Sequence, residues 1–390
     1  MINSAVRSTL VALACVSACQ AWAQTPLKIG FLATFSGPIG TIGQDQYDGF
    51  MLAVAQRGGK LGGLPVEVIK QDDQFRPEVG MQEVQSLIER DKVSIITGMT
   101  GANVMMAVAK PIVDKGVFLI STNPGPSALA GAGCSPYQYV VSNQIDTVAE
   151  VVGQYASDKG FKRVVLMAPN YQGGKDMLNG FRHQFQGSVE DELYTPLNQL
   201  DFSAEITKIA AAKPDAVYAF YPGALGVNFV RQYQQAGLVK SIPLLSTGTI
   251  DGTSIPALKE SALGALSGHI WAPDTDNPTS HQFVDAFEAK YHRIPSNFAA
   301  QAYDGAQLLD SAITKVKGNV ADKTAFAAAL HAADFKSVRG KFRFNNNNFP
   351  VQDLHIFEVA KDAKGRISLK TIATPLKDHE DRYHDKCALK

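Results

Sequence analysis

Short apolar, β-branched runs alternate with amphipathic segments through the first third of the chain. Each run is fully apolar, which predicts a strand buried on both faces, whereas the segments between them repeat their apolar positions with the period of a helix. The predicted strands are residues 27–33, 66–71, 93–97 and 117–121. The predicted helices are residues 44–56, 77–90 and 102–114. This alternation is typical of a parallel sheet with helices on both faces.

A second series of the same kind follows a loop rich in Gly and Pro. Its segments are residues 146–158, 163–168, 174–185, 204–212, 216–221, 225–235 and 242–246. The C-terminal third is less regular, with predicted strands at 265–271, 338–344 and 355–359 and helices at 280–291, 296–316 and 322–332. That third has too few strands for a core of its own, so we expect it to complete both lobes. The sequence therefore predicts an α/β protein with two doubly wound, Rossmann-like lobes.

The first residues predict a secretory signal rather than part of the fold. Arg7 is followed by a short apolar run, and Ala21-Trp22-Ala23 has the small-x-small pattern of a cleavage site. We therefore assign residues 1–23 as a cleavable signal peptide. The alternative is lipidation at Cys19, since Val16-Ser17-Ala18-Cys19 resembles a lipoprotein box. After the first 25 residues, no apolar run is long enough to cross a membrane.

Composition and charge limit the classes of binding partner and indicate the state of the cysteines. The chain has 37 Lys and Arg against 37 Asp and Glu, and no basic stripe, so we expect no nucleic acid partner. Only Cys134 and Cys387 remain after cleavage of the signal. Two cysteines in an oxidising compartment most simply form a disulfide, and the alternative is two buried free thiols.

Motifs of catalysis are missing from the sequence. It has no Gly-x-Ser-x-Gly elbow and no His-Glu-x-x-His, and residues 173–176 lack the length and the hydroxyl of a phosphate loop. Gly37, Gly40 and Gly43 do not have the spacing of a dinucleotide fingerprint. A metal bound by the acidic and histidine residues 379–385 is an alternative to a solvated tail. We expect no enzyme activity, no cofactor and no metal.

Five loops instead follow the predicted strands at the ends where open α/β sheets bind ligands. They are residues 34–38, 99–103, 122–127, 170–173 and 221–223. They are rich in Gly, Ser, Thr and Asn, and the two loops of the second series also contain a Tyr. Small residues let backbone N–H groups approach a ligand, a helix N-terminus favours a carboxylate, and aromatic rings provide apolar walls. Ordinary turn chemistry is the alternative for each loop alone.

The order and spacing of several short motifs resemble the type I periplasmic solute-binding proteins, specifically the branched-chain amino-acid binding family of ABC importers. The resemblance covers residues 27–359. Its marks, in chain order, are Lys28-Ile29-Gly30, Ser36-Gly37-Pro38, Gly43, Gly49, Gly58-Gly59, Gly62, Asp72-Asp73, Pro77, Tyr171, Gly174, Arg231, Ala236-Gly237-Leu238 and Tyr303-Asp304.

The resemblance implies two lobes joined by a three-crossover hinge that close on a ligand, the type I periplasmic binding protein fold. It places the crossovers near residues 142–144, 272–274 and 337–348. Lobe 1 is then residues 24–142 plus 274–337, and lobe 2 is residues 143–273 plus 338–390. It also implies a periplasmic monomer that delivers its ligand to a membrane permease. The motifs around Cys134 and Cys387 resemble an aromatic-acid-binding branch in which some members carry this pair as a disulfide.

The resemblance also implies a site, and parts of it differ from the family pattern. The serine that binds the carboxylate in amino-acid binders falls at Ala102, beside Asn103, and the acid that pairs the α-ammonium falls at Thr249. The other implied ligand-binding positions are Phe35, Ile42, Thr100, Gly101, Asn123, Pro124, Gly125, Tyr171, Tyr221 and Phe298. Asp251 lies two residues from the missing acid and is an alternative partner for an amine.

The missing acid decides the expected ligand. An ammonium buried without a carboxylate costs several kcal/mol, so a zwitterionic amino acid is disfavoured. We expect a small organic acid with an aromatic or hydrophobic body. The alternatives are a branched-chain amino-acid or amide binder, a sensory ligand-binding protein, and an enzyme on a two-lobed scaffold.

Overall fold

The structure is a computed structural model that describes residues 25–389. The signal peptide and Cys19 lie outside these residues. Among the described helices, none is long and apolar enough to cross a membrane. The strands fall into two separate, mostly parallel sheets, which confirms the predicted two-lobed α/β fold.

The first sheet has six strands in the order β2-β3-β1-β4-β5-β6. Apart from β2, these strands run parallel. Their bounds are β1 Leu27–Ala33, β2 Lys60–Leu61, β3 Leu64–Asp72, β4 Ile95–Gly98, β5 Phe118–Ser121 and β6 Gln138–Val140. The helices packed on this sheet are α1 Gly40–Gln56, α2 Pro77–Glu89, α3 Ala102–Asp114, α4 Ser127–Ala130, α10 Pro278–Tyr291, α11 Asn297–Lys315 and α12 Lys323–His331.

The second sheet has the order β12-β13-β11-β10-β9-β7-β8, with β14 also paired to β13. The strands before β12 run parallel, and β12, β13 and β14 form antiparallel pairs at one edge. Their bounds are β7 Arg163–Pro169, β8 Ser188–Thr195, β9 Ala216–Ala219, β10 Leu244–Ser246, β11 Leu266–His269, β12 Arg343–Phe344, β13 Pro350–Lys361 and β14 Ile367–His379. The helices are α5 Ile145–Asp158, α6 Gln172–Gln184, α7 Ser203–Ala212, α8 Ala224–Gln235 and α9 Ile255–Leu258.

The chain passes between the two sheets three times, which agrees with the expected hinge. It leaves the first sheet after β6, returns after β11 and leaves again after α12. The predicted strand at 338–344 is wrong for most of its length, because only Arg343 and Phe344 pair with β13. Ser337 and Arg339 instead turn inward to bond the buried Asp304 carboxylate. The single-residue boundaries of the lobes stay a prediction.

Close contact between α1 and α11 positions one wall of the cleft. At Gly49 a Cβ atom would overlap the carbonyl oxygen of Ala299, so only glycine lets these helices approach to this distance. The contact places Ile42 of α1 and Phe298 of α11 in one small apolar cluster that is separate from the main cores. The local packing of two helices thus builds an apolar surface at the cleft.

The expected disulfide is confirmed. Cys134, in the loop before β6, is bonded to Cys387 near the end of the chain, with 5.7 Å between their Cα atoms. The tail after β14 also bonds the second lobe, because Arg382 and Tyr383 both donate to the Asp146 carboxylate at 2.6 Å. The tail therefore connects the loop before β6 with the start of α5.

Candidate ligand-binding site

A cavity lies between the lobes, where the carboxyl ends of parallel strands from both sheets meet. Its volume is about 60 Å³. An engineered cavity of about 150 Å³ binds benzene. A single-ring compound therefore fits between the lobes only if the walls of the cavity move slightly apart.

The first lobe contributes polar groups from the ends of β4 and β5. The Thr100 hydroxyl donates to Gln46 Oε1 at 2.7 Å, and Asn123 Nδ2 donates to the Thr100 carbonyl at 2.8 Å. Ala102 is the first residue of α3 and lines the cavity. The N–H groups in the first turn of a helix have no acceptor within that helix, and the helix dipole adds partial positive charge. This corner of the cavity is suited to an anionic oxygen.

The second lobe contributes aromatic rings from the ends of β7 and β9. Tyr171 and Phe220 are stacked with 6.4 Å between ring centroids, and both line the cavity. Burial, with a smaller contribution from the Asp176 carboxylate, raises the pKa of Tyr171. The phenol therefore stays protonated and can donate a hydrogen bond. Together with the cluster of Ile42 and Phe298, these rings give the cavity mostly apolar walls.

Several contacts join the lobes around the cavity. The Phe75 ring of lobe 1 meets the Tyr171 ring edge-on at 6.1 Å. The Asp176 carboxylate on α6 accepts from the Ser127 hydroxyl at 2.7 Å and from the Ser127 N–H at 3.0 Å. At Gly223, which has φ of +59°, a Cβ atom would overlap the carbonyl of Pro38. The lobes are thus closed on each other.

Asp176 is the carboxyl group among these closing contacts. Burial, and then the nearby Asp146 carboxylate, raise the pKa of Asp176 to about 6, against the lowering effect of hydrogen bonds from Ser127 and Gln172. Asp176 therefore changes charge well above the ordinary range of an aspartate.

His269, the last residue of β11, lines the cavity and is 7% exposed. Burial, and then the nearby Arg339 guanidinium, lowers the pKa of His269 to about 3, so its ring is neutral at physiological pH. Among the residues that line the cavity in the described chain, none is Asp, Glu, Lys or Arg. An ammonium group in this cavity would therefore lack a carboxylate partner, whereas neutral donors can accommodate a carboxylate.

Seven of the thirteen residues proposed from the sequence line this cavity. They are Ile42, Thr100, Ala102, Asn123, Pro124, Tyr171 and Phe298. The other six do not, and they are Phe35, Gly101, Asn103, Gly125, Tyr221 and Thr249.

Two of these six lie directly behind the cavity wall. The Asn103 side chain donates to the Phe75 carbonyl at 3.0 Å. At Gly101 a Cβ atom would overlap the Phe75 ring. Both residues thus position Phe75, which lines the cavity itself. Gly125 packs against the first crossover, and its carbonyl accepts from the Ile145 N–H at 2.9 Å.

Phe35 lies away from the cleft. Its ring packs against Tyr47 at 5.9 Å, and Lys70 Nζ lies 3.8 Å from the ring centroid. These contacts hold the ring beside β3, where it covers the core of the first lobe.

The residues near the expected amine partner support the second lobe from inside. Tyr221 packs between Phe202 and Phe229, and its N–H donates to Thr249 Oγ1 at 2.8 Å. Asp251 does not line the cavity, because its Oδ1 accepts from Thr253 and from the Ser254 N–H in a tight turn. Burial raises the pKa of Asp251.

Sequence reasoning missed several lining residues. They are Ile39, Phe75, Asn143, Ile145, Gly173, Met177, Phe220, Pro222, Thr247, Gly248 and His269. Phe220 directly precedes Tyr221, and successive side chains of an extended chain point to opposite sides, so a one-residue register separates the ring on the cavity from the ring in the core. A histidine at the carboxyl end of a parallel strand is the signal that marks His269.

A second cavity, of about 290 Å³ on the same measure, lies beside the first. Asn297 lines it, and the amide of Asn297 contacts His269 of the first cavity at 3.2 Å. Arg293 is the one cation among the lining residues within 25–389, and it bonds both Asp45 and Asp48, at 2.6 and 2.7 Å. Because two carboxylates surround one guanidinium, this cavity is not suited to an anion.

Comparisons with known proteins agree with this geometry. Residues 26–365 match the family described as periplasmic binding protein. Leu/Ile/Val-binding protein homolog 6 of Brucella melitensis is 29% identical over 377 residues, which cover 94% of this chain and 95% of that protein.

Solved structures match over nearly the whole chain. A solute-binding protein of an ABC transporter from R. palustris, in complex with benzoate, has 30% identity and a TM-score of 0.89 over 94% of this chain and 100% of that chain. A second R. palustris protein, in complex with 4-hydroxybenzoate, has 28% identity and a TM-score of 0.86 over 92% and 99%. The chain therefore belongs to the periplasmic binding protein family, and it is a non-enzymatic solute-binding component of an ABC transporter.

Proposed function

We propose that the protein captures a small aromatic or hydrophobic carboxylate between its lobes and delivers it to the permease of an ABC importer. The observation that supports this most strongly is the cavity itself, which is lined by aromatic and aliphatic groups and by no side chain of Asp, Glu, Lys or Arg in the described chain. Such a cavity favours a ligand with an apolar body and without an amine.

The carboxylate of the ligand binds at the first turn of α3 in this proposal. The N–H of Ala102, which lines the cavity, provides a donor without an intrahelical acceptor, and the dipole of α3 favours the negative charge. Tyr171, with its protonated phenol, is a further donor on the opposite lobe.

The apolar body of the ligand lies between rings from both lobes. Phe298 and Ile42 form its contact with lobe 1, and Tyr171 and Phe220 form its contact with lobe 2. Aromatic rings prefer offset or edge-on contacts with another ring, which favours an aromatic acid over an aliphatic one of equal size. The R. palustris relatives bound to benzoate and to 4-hydroxybenzoate support this ligand class.

Binding and closure are coupled. Because each lobe supplies part of the wall, a ligand contacts both lobes only in the closed form, and it shifts the hinge equilibrium toward closure. We infer that the closed form of a monomer, exported to the periplasm by the signal at residues 1–23, is what the permease recognises.

The amino-acid alternative rests on the names of the curated relatives, which are Leu/Ile/Val-binding proteins. It requires an acidic partner for the ammonium. Thr249 occupies that position, and the Asp251 carboxylate already accepts hydrogen bonds within its own turn. The chemistry of the cavity therefore favours the acid.

Titration calorimetry with benzoate and with leucine tests the proposal. We expect benzoate to bind and leucine to give no heat of binding. Phe298→Ala removes a ring from the cavity and is expected to weaken benzoate binding by about tenfold or more. The matched control is Phe35→Ala, which removes a ring away from the cleft and leaves the affinity unchanged. Tight leucine binding without a response to benzoate would overturn the proposal.

A further inference from the structure

One polar atom in the cavity wall lacks a partner. Nδ1 of His269 is buried and forms no hydrogen bond with any residue in the range 25–389. The other ring nitrogen, Nε2, lies 3.2 Å from Nδ2 of Asn297, and the ring lies edge-on to Phe298 with 6.3 Å between centroids. An unsatisfied buried donor or acceptor costs free energy. Because the His269 side chain lines the cavity, a ligand that enters the cavity is the nearest source of a partner.

The neutral imidazole limits what that partner can be. A neutral histidine has one donor and one acceptor nitrogen. If Asn297 Nδ2 donates to Nε2, the proton of His269 resides on Nδ1, which then donates. If the amide is rotated, Nε2 donates to it and Nδ1 accepts. A hydroxyl group satisfies either tautomer because it both donates and accepts, whereas a carboxylate satisfies one of them and an aromatic C–H satisfies neither.

The position of His269 separates it from the expected carboxylate site. His269 ends β11 in the second lobe, and the first turn of α3 follows β4 in the first lobe. The two groups therefore belong to opposite walls of the same cavity. A ring whose carboxylate lies against α3 directs another of its edges toward the second lobe.

We propose that His269 hydrogen-bonds a second oxygen of the ligand, a hydroxyl on the aromatic ring, and that the protein therefore prefers a hydroxybenzoate to benzoate. This inference rests on the proposed function, because it assigns the polar substituent of the same ligand. A site that hydrogen-bonds a hydroxyl discriminates against the analogue without it, since the polar group of the site is then left unpaired.

Calorimetric titration of the wild-type protein with benzoate and with the three hydroxybenzoate isomers is the first measurement. We expect at least one isomer to bind about tenfold or more tightly than benzoate, the effect of one satisfied hydrogen bond. The same titrations on His269→Phe are expected to remove that preference and to retain benzoate binding. His281→Phe, an exposed histidine on α10, is the matched control and keeps the wild-type preference.

Each outcome decides one point. Benzoate binding as tight as that of every isomer in the wild-type protein would overturn the inference, and so would a preference that survives in His269→Phe. If His269→Phe does not fold, the wild-type titrations and His269→Gln decide the question. His269→Gln keeps a donor and an acceptor and is expected to keep part of the preference. Leucine binding with no response to any of the four acids would instead overturn the proposed function.

Discussion

Two polar regions are buried between the lobes, and they are built in opposite ways. At the hinge, Arg339 donates to Asp304 at 3.0 Å, to the carbonyls of Val141 and Ser142 at 2.6 and 2.9 Å, and to the Gln352 side chain at 2.7 Å. In the cavity no charged side chain is present among the described lining residues, and His269 Nδ1 has no partner.

The difference separates a structural polar site from a binding site. A buried charge whose hydrogen bonds are all made within the chain fixes one geometry and is costly to disturb. Neutral polar groups without partners leave their hydrogen bonds to an incoming molecule. The hinge contacts thus fix the geometry at which the two lobes are joined, and the polar groups of the cavity select the ligand.

Removing the hinge cation is expected to have the largest effect on stability. Arg339→Met leaves Asp304 buried without its partner, which typically lowers the free energy of unfolding by about 3–5 kcal/mol. The control is Arg343→Met, whose ion pair with Glu380 is exposed to solvent and contributes at most about 1 kcal/mol. Chemical denaturation measures the free energy of unfolding of both variants. Equal losses would mean that the buried contacts of Arg339 do not stabilise the hinge more than an exposed ion pair does.

Opening the disulfide extends the comparison to the tail. Cys134→Ser with Cys387→Ser is expected to lower the free energy of unfolding by about 2–4 kcal/mol, since the bond closes a sequence separation of 253 residues. Neither cysteine lines the cavity, so benzoate affinity should not change. Thermal unfolding measures stability and calorimetry measures benzoate affinity. A loss of affinity without a loss of stability would mean that the tail contributes to ligand binding.

Phe220 and Tyr221 allow a ring that lines the cavity to be compared with a ring in the core behind it. Phe220→Ala removes a ring from the cavity and is expected to weaken ligand binding by about tenfold. Tyr221→Phe removes the hydroxyl that bonds Thr195 inside the second lobe and is expected to lower stability by about 1 kcal/mol with unchanged affinity. The reverse pattern in calorimetry would mean that Tyr221 faces the ligand.

The smallest expected effect is a pH dependence of stability. The folded protein raises the pKa of Asp176 from 3.8 to about 6, so folding takes up a proton at this group. This contribution to stability is complete below the ordinary value of 3.8 and is lost as pH rises through about 6. The free energy of unfolding, measured by chemical denaturation, should therefore fall between about pH 4 and about pH 6.5, and Asp176→Asn should reduce that slope. An identical slope in the variant would assign the dependence to another group.

The predicted elements agree best with the structure where the strands of the sheet are fully buried. Residues 27–33 and 102–114 were predicted with the bounds that the structure has. Four strands were missed, and the two longest of them are each exposed on an edge of their sheet. Ser188–Thr195 contains three consecutive acidic residues, and Ile367–His379 alternates irregularly and pairs with bulges. Edge strands need not be apolar on both faces, so their sequences lack the pattern of buried strands.

The site was less predictable than the fold. The loops that follow β4, β5 and β7 lie on the cavity as expected, because their position depends on topology. Phe220 in place of Tyr221 depends on one residue of register, and His269 depends on how β11 ends against α11. Such details are set by packing between distant segments, which single-sequence patterns do not encode.

The central claim is that the cavity accepts a carboxylate but provides no partner for an amine. Leucine and 4-methylpentanoate, which differ only in the α-ammonium group, test it in one pair of calorimetric titrations on the wild-type protein. The account predicts that 4-methylpentanoate binds at least about a hundredfold more tightly than leucine, because burying an unpaired ammonium costs several kcal/mol. Leucine binding as tight as that of the acid, or tighter, would contradict it.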